Sequence, residues 1–375
     1  MAAAVPSRPR AGVIVGKMPR SIITGSGCYI PENIVANISF LSHEFYSEDR
    51  LPYGGKPTAI VEKFSKITGI LERRYTSDGL PASYMAAEAA EKAISDSGID
   101  REHIDQLIVA HNFGDMKDSQ SSPDIVPSLA SRVKRLLGIS NPACIPYDLI
   151  FGCPGWLQGI IHADAFFKAG MAKTALIIGT ETLSRVLDPH DRDSMIFSDG
   201  AGAIILEYQD PAGSPAGLLS ASVRSDCGDE ASYIFTGNSL NPENDIPPRY
   251  IKMKGRKVYE YALRHVPEAM KDCFDRSGRP ISDLKAIFIH QANEKMDEAI
   301  VRSFYALYGI SEPPEKIMPM CIQWLGNSSV ATIPTLYDLV KKSLLPGFNV
   351  SKGDLILFAS VGAGMNINAV CYSCD

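Results

Sequence analysis

The residue best suited to covalent chemistry is Cys153, in the stretch Phe-Gly-Cys-Pro-Gly-Trp. It follows an apolar run (DLI) and opens a stretch whose apolar residues recur with helical spacing. Pro154 suits the first helical position, where its missing N–H has no partner to lose. A cysteine there faces the positive end of a helix and its unpaired N–H groups, which favour thiolate. An unperturbed thiol, with a pKa of about 8.5, stays mostly protonated at neutral pH. A buried packing cysteine fits the same local sequence equally well. His290 follows the apolar run KAIFI and ends a predicted strand, at the edge of the crevice where α/β folds bind ligands. His111 stands in the same relation to QLIVA, so position alone does not choose between them. Asn327 lies in LGNSSVATIP, in a Gly-Asn turn where asparagine ordinarily serves as a turn or cap residue. Cys153, His290 and Asn327 taken together are a more specific signal than any one of them.

The elements that must position these groups alternate between helical and strand patterns, which predicts an α/β class. ASYMAAEAAEKAISDSG (82–98) reads as a helix closed by Gly98, followed by the strand QLIVA. VPEAMKDCFDRSG (266–278) and KAIFI repeat that order. The nucleophile turn is followed by the strand TALIIGTE, and the Asn327 turn by GDLILFASVGAG. Two related halves, packed so that equivalent turns meet near a pseudo-two-fold axis, account for this most simply. Residues 1–19 read as a loose extension, 20–227 as the half carrying the nucleophile, and 250–375 as the half carrying His290 and Asn327. Between them, 228–249 is rich in Gly, Asn and Pro and reads as a linker.

Composition narrows the function classes. The 375 residues are 45% hydrophobic and 21% charged with a net charge of -6, the balance of a folded soluble chain. Without basic runs it is a poor partner for nucleic acid. No apolar run approaches the roughly 20 residues that a membrane helix needs. Eight cysteines are too dilute for a disulfide framework and fit a reducing cytoplasm. Cys371 and Cys374 have CxxC spacing, yet no second pair or histidine cluster completes a zinc site, so no metal is expected.

Cys153 in DLIFGCPGW, His290 in HQAN and Asn327 in GNSS resemble the Cys-His-Asn triad of the β-ketoacyl-acyl-carrier-protein synthase III family. TGILERRYTSDG, DPHDR, FSDGAGAIILE, MKGRKVYEYA and SVGAG are similar to that family's segments in the same order, over nearly the whole chain from about Arg20. The resemblance implies a thiolase-like, five-layered αβαβα fold with two pseudo-two-fold-related halves, usually a homodimer. It implies acyl loading onto Cys153 from a carrier-protein or CoA thioester, without a cofactor, then decarboxylative condensation with a malonyl or β-ketoacyl thioester in fatty acid or polyketide synthesis. His290 and Asn327 would donate to the enolate oxygen, and the backbone N–H groups of Cys153 and Ala363, between Gly362 and Gly364, would hold the acyl oxyanion.

Three departures from the family refine the expectation. Alignment on TGI puts Lys63 and Ile67 where CoA-using members clamp adenine with Trp and Arg, although Arg192 is kept. This favours a carrier-protein donor, with Lys254, Arg256, Lys257, Lys295 and Arg302 as a basic docking rim against an acidic carrier helix. Val126 replaces a bulky aromatic at the acyl gate, which predicts longer acyl groups, each buried CH2 contributing roughly 0.8 kcal/mol. Asp115, Asp118 and Asp124 in the long loop 111–124 read as solvated carboxylates or as a base for non-decarboxylative condensation. Cys-Pro-Gly-Trp also hints at a specialised branch that joins two β-ketoacyl chains, of the dialkylresorcinol type. A non-catalytic subunit of a ketosynthase heterodimer is the reading from another class, and it has no need of all three triad groups.

Overall fold

A computed structural model describes residues 19–119, 121–209, 216–244 and 250–375. The expected extension, 1–19, lies outside them except for its last residue. In chain order the strands are β1 (Arg20–Tyr29), β2 (Asn33–Ala36), β3 (Glu72–Tyr75), β4 (Gln106–Ala110), β5 (Ile145–Leu149), β6 (Thr174–Thr182) and β7 (Asp199–Gln209). They continue with β8 (Gly217–Ser225), β9 (Ile234–Gly237), β10 (Tyr250–Met253), β11 (Leu284–Ile289), β12 (Leu355–Gly362) and β13 (Asn366–Ser373). The helices are α1 (Pro57–Thr68), α2 (Ala82–Ser97), α3 (Leu129–Leu136), α4 (Gly155–Lys168), α5 (Gly255–Arg276), α6 (Glu294–Ala306), α7 (Ile322–Leu325) and α8 (Thr332–Lys341).

The duplication read from the sequence is present strand by strand. One sheet runs β1-β7-β6-β4-β5 and the other β8-β13-β12-β11. In both, the first pair of neighbours and the second are antiparallel and the third is parallel. β5 extends the first sheet alone. β6 and β12 are buried at every position, as strands covered on both faces must be. α2 and α3 cover the outside of the first sheet, α5 and α6 the outside of the second, and α4 and α8 lie between the two. The middle layer is welded by Trp156, Phe288, Tyr337 and Phe358, whose ring centroids lie 5.4, 5.6 and 5.8 Å apart in mostly edge-on pairs. This is the five-layered thiolase-like arrangement.

Three sequence expectations change. β8 pairs with β13 in the second sheet, so the chain crosses between halves between Gln209 and Gly217, not at 228. The segment 228–249 is more than a linker, because its β9 forms an antiparallel ribbon with β10. The helix expected over 266–278 begins eleven residues earlier, at Gly255, and runs through Pro267. Its stripe of Val258, Tyr261, Ala262, Val266, Met270 and Phe274 is buried, and that burial outweighs the single hydrogen bond Pro267 removes. Cys371 and Cys374 point into different cores, Cys371 towards α5 and α6 and Cys374 towards the middle layer. Residues three apart in a strand face opposite ways, so the CxxC spacing makes no pair here.

The loop after Asn327 rests directly on the first sheet. A Cβ at Gly179 of β6 would lie 2.3 Å from the carbonyl oxygen of Val330. Gly179→Ala is therefore expected to lower stability by about 1–3 kcal/mol, the usual range for overpacking. Urea denaturation checks this, and an unchanged midpoint would contradict it.

Candidate active site

The nucleophile turn lies between β5 and α4, and its backbone is held against the opposite half. Gly152 has φ +66°, and a Cβ there would stand 2.7 Å from the Ala363 nitrogen. A Cβ at Gly362 would stand 2.4 Å from the Cys153 nitrogen. Two turns from different halves thus touch backbone to backbone, which only glycine permits. The Asn366 side-chain N–H donates to Ala363 O at 2.9 Å and fixes the second turn, where Gly364 takes φ +77°. The amide groups of Cys153 and Ala363 come together in this contact.

Cys153, His290, Asn327 and Ala363 line one cavity of about 210 Å³, with largely apolar walls that include Phe113, Phe197, Ile234, Phe235 and Ile251. It shares Met253, Val258, Ala292 and Met296 with a wider vestibule of about 690 Å³. Arg192, Lys63 and Ile67 line that vestibule, as does Tyr53, whose ring lies 4.6 Å from the Arg192 guanidinium. The sequence reading left Arg192 without an aromatic neighbour. The loop before α1 supplies one.

His290 leads directly out of β11, with its N–H donating to Ala359 O at 2.9 Å. It is buried, and burial pushes its imidazole down to about 4. The ring is neutral at physiological pH and can donate from one nitrogen. His111 is spent otherwise, with Nε2 3.0 Å from Asp148 and Nδ1 accepting from the Gly114 N–H. Asn327 is held by its backbone to Ile196 and Ser198, and its Oδ1 accepts from the Ser329 N–H at 2.8 Å. That bond occupies the amide oxygen and leaves the Nδ2 protons to serve as donors.

The thiol differs from expectation. Burial pushes Cys153 up to about 12, with the Ser329 hydroxyl, donating to Sγ at 3.3 Å, acting in the opposite direction. In the resting site desolvation outweighs the helix N-terminus. Val126 does not line the cavity; it is 80% exposed beside the cis Val126–Pro127 bond, so within one chain it gates nothing. The loop aspartates are structural. Asp115 accepts from Ser83 and Arg132, Asp124 pairs with Arg132 at 2.6 Å, Asp118 accepts from Ser121, and none lines the cavity.

Of the basic residues, Arg256 lines the vestibule and pairs with Glu260 at 2.8 Å. Lys254 and Lys257 lie over the Tyr233 ring, and Lys295 and Arg302 are exposed seven residues apart on one face of α6. Asn112, Ser329 and Glu181 were not singled out from the sequence, yet they adjoin the thiol. Asn112 stands next to a strand-end histidine and Ser329 within GNSS, the one local signal available.

A neutral His290 makes a pH prediction. Its pKa is lowered below that of the unfolded chain, so the unfolded state binds the proton first and stability falls as pH drops from about 6.5 towards 4. NMR of ring-labelled histidine should show His290 titrating below pH 5. A midpoint near 6.5 would contradict the burial argument.

Residues 147–227 match the family model for 3-oxoacyl-[acyl-carrier-protein (ACP)] synthase III, and 274–374 the model for its C-terminal part. The β-ketoacyl-[acyl-carrier-protein] synthase III of Bradyrhizobium diazoefficiens is 31% identical over 350 residues, covering 92% of this chain and 96% of that protein. The enzyme of the same name from Erythrobacter litoralis is 30% identical, covering 94% and 98%. Among solved structures, the 3-oxoacyl-[acyl-carrier-protein] synthase III of Aquifex aeolicus superposes with a TM-score of 0.75 at 26% identity, covering 94% of this chain and 99% of that one. Arrangement of the halves, motifs and likeness along the whole length agree: the chain belongs to the β-ketoacyl-acyl-carrier-protein synthase III family.

Proposed function

We propose that this protein is a condensing ketosynthase that loads an acyl group on Cys153 and extends it by decarboxylative Claisen condensation. The Cys153 sulfur bonds to the acyl carbonyl carbon, the donor's C–S bond breaks, and the thiol proton leaves with the departing thiol. A malonyl thioester then loses CO2, and the electron pair of the broken C–C bond passes to the enolate oxygen. His290 and Asn327 donate to that oxygen. The enolate carbon attacks the acyl carbonyl, whose oxyanion faces the Cys153 and Ala363 N–H groups, and Cys153 leaves. No step requires a cofactor. One observation carries this reading: a sulfur, a neutral imidazole, a side-chain amide and two backbone turns meet in a single apolar cavity.

A carrier-protein thioester is the donor this reading favours over free CoA. Tyr53 already covers the Arg192 guanidinium, which a nucleotide would have to displace, while Arg256 lines the vestibule and Lys254, Lys257, Lys295 and Arg302 are the further cations this reading assigns to carrier docking. The working unit is a homodimer. β5 is a sheet edge, and Ile145, Ile150 and Val126 beside it are 50%, 65% and 80% exposed, an apolar margin suited to a second copy. Val126 then bounds an acyl cavity only by crossing into the partner. Eight free cysteines suit a cytoplasmic location. Among the described residues no helix is long and apolar enough to cross a membrane.

Incubation with carrier-bound acyl donors should add the acyl mass to Cys153, with octanoyl loaded faster than acetyl. His290→Ala should still load but lower CO2 release from malonyl thioester about 100- to 1000-fold. Equal loss of loading in that variant would instead make His290 the base for Cys153. Val126→Phe should depress octanoyl loading relative to acetyl, and an unchanged ratio would remove Val126 from the acyl cavity. No mass gain with any donor would leave only the non-catalytic subunit.

A further inference from the structure

A buried acid with no part in the condensation stands two hydrogen bonds from Ser329, whose hydroxyl donates to the nucleophile. Glu181, at the end of β6, is 2% exposed, and burial holds its carboxyl well above the usual carboxylate range. Asn112 directs its side-chain Nδ2 at Glu181 Oε1, and the Asn112 backbone N–H donates to the same carboxyl. The second Nδ2 proton reaches Ser329 Oγ at 3.1 Å. Ser329 in turn donates its single hydroxyl proton to Cys153 Sγ at 3.3 Å.

The directions of these bonds are linked. A carboxyl oxygen facing Asn112 turns the amide so that its nitrogen, not its oxygen, points at Ser329. With an N–H arriving at its oxygen, the Ser329 hydroxyl has Sγ as the outlet for its proton. Ser329 is also held at φ +52°, a conformation that non-glycine residues adopt at a cost and that clusters at functional sites. The bond from its N–H to Asn327 Oδ1 keeps it there. One serine thus fixes the amide of Asn327 through its backbone and addresses Cys153 through its side chain.

We infer that Glu181, Asn112 and Ser329 form a hydrogen-bond chain of fixed direction whose end is a donor to Cys153, stabilising the thiolate in a site that otherwise desolvates it. Ser329 touches the reacting sulfur; Asn112 and Glu181 are positioning residues. This rests on Cys153 being the nucleophile. In the loaded enzyme the sulfur carries an acyl group and accepts poorly, so the chain acts on the free thiolate, before loading and again when condensation releases it.

Alkylation of Cys153 by iodoacetamide, followed across pH 6–10 by peptide mass spectrometry, tests the chain without any thioester. Exposed Cys227 in the same sample serves as an internal reference between variants, and labelling of buried Cys273 would reveal an unfolded variant. Ser329→Ala is expected to slow Cys153 alkylation about tenfold throughout that pH range, since Cys153 titrates above it. Asn112→Asp should do the same with Ser329 intact, because a carboxylate would draw the serine proton away from sulfur. Glu181→Gln keeps an acceptor oxygen and should stay within about twofold of the parent. Parental profiles in both Ser329→Ala and Asn112→Asp would overturn the proposal. So would a Glu181→Gln loss as large as that of Asn112→Asp, since an acceptor oxygen facing Asn112 would then not be what sets the direction of the chain. Absence of acyl loading with an intact alkylation pattern would instead overturn the ketosynthase reading and leave the chain standing.

Discussion

The bare backbone contact between the turns at Gly152 and Gly362 is the constraint from which the site follows. Each turn ends a central strand or opens a central helix of its own half, so neither can move without its sheet. Any side chain at either glycine would force the halves apart, because the nearest atoms in the way are backbone. The same contact brings the amides of Cys153 and Ala363 side by side. The aromatic layer of Trp156, Phe288, Tyr337 and Phe358 lies in the seam and holds the halves at that distance.

Burial at the seam has opposite consequences for the two titratable groups. It keeps His290 neutral, which a hydrogen-bond donor to an enolate requires, and it disfavours the thiolate that loading requires. A site dry enough to strengthen donors to a developing oxyanion is necessarily unkind to a resting thiolate. The donor from Ser329 and the helix N-terminus behind Cys153 work against that penalty. The thiol form at rest is also the less reactive one towards adventitious electrophiles.

Much of this was legible in the sequence because it depends on local pattern. The strands before His111 and His290 are continuous apolar runs, and the helix ending at Gly98 carries its own stop signal. The alternation of helices and strands and its repetition in the second half were readable for the same reason. What escaped depends on distant neighbours. β8 was assigned to the wrong half because pairing with β13 leaves no mark in GLLSASVRS itself. Val126 read as a gate from its place in the chain; within one chain packing turns it outward, so that reading now depends on a second copy. Nothing in TALIIGTE singles out Glu181; its link to Cys153 arises only when Asn112 and Ser329, from opposite halves, are laid between them.

The central claim is that the glycine-only seam aligns two amides on the acyl oxygen. Gly362 has an extended backbone, φ -164°, that alanine adopts freely, so Gly362→Ala perturbs the seam by its methyl group alone. The decisive measurement compares acylation of Cys153 by a carrier-bound acyl thioester with its alkylation by iodoacetamide in that variant. An aligned pair of amides predicts a fall in acylation on the order of 100-fold, well beyond any fall in alkylation, since only acylation develops an oxyanion. Acylation at the parental rate would contradict the account.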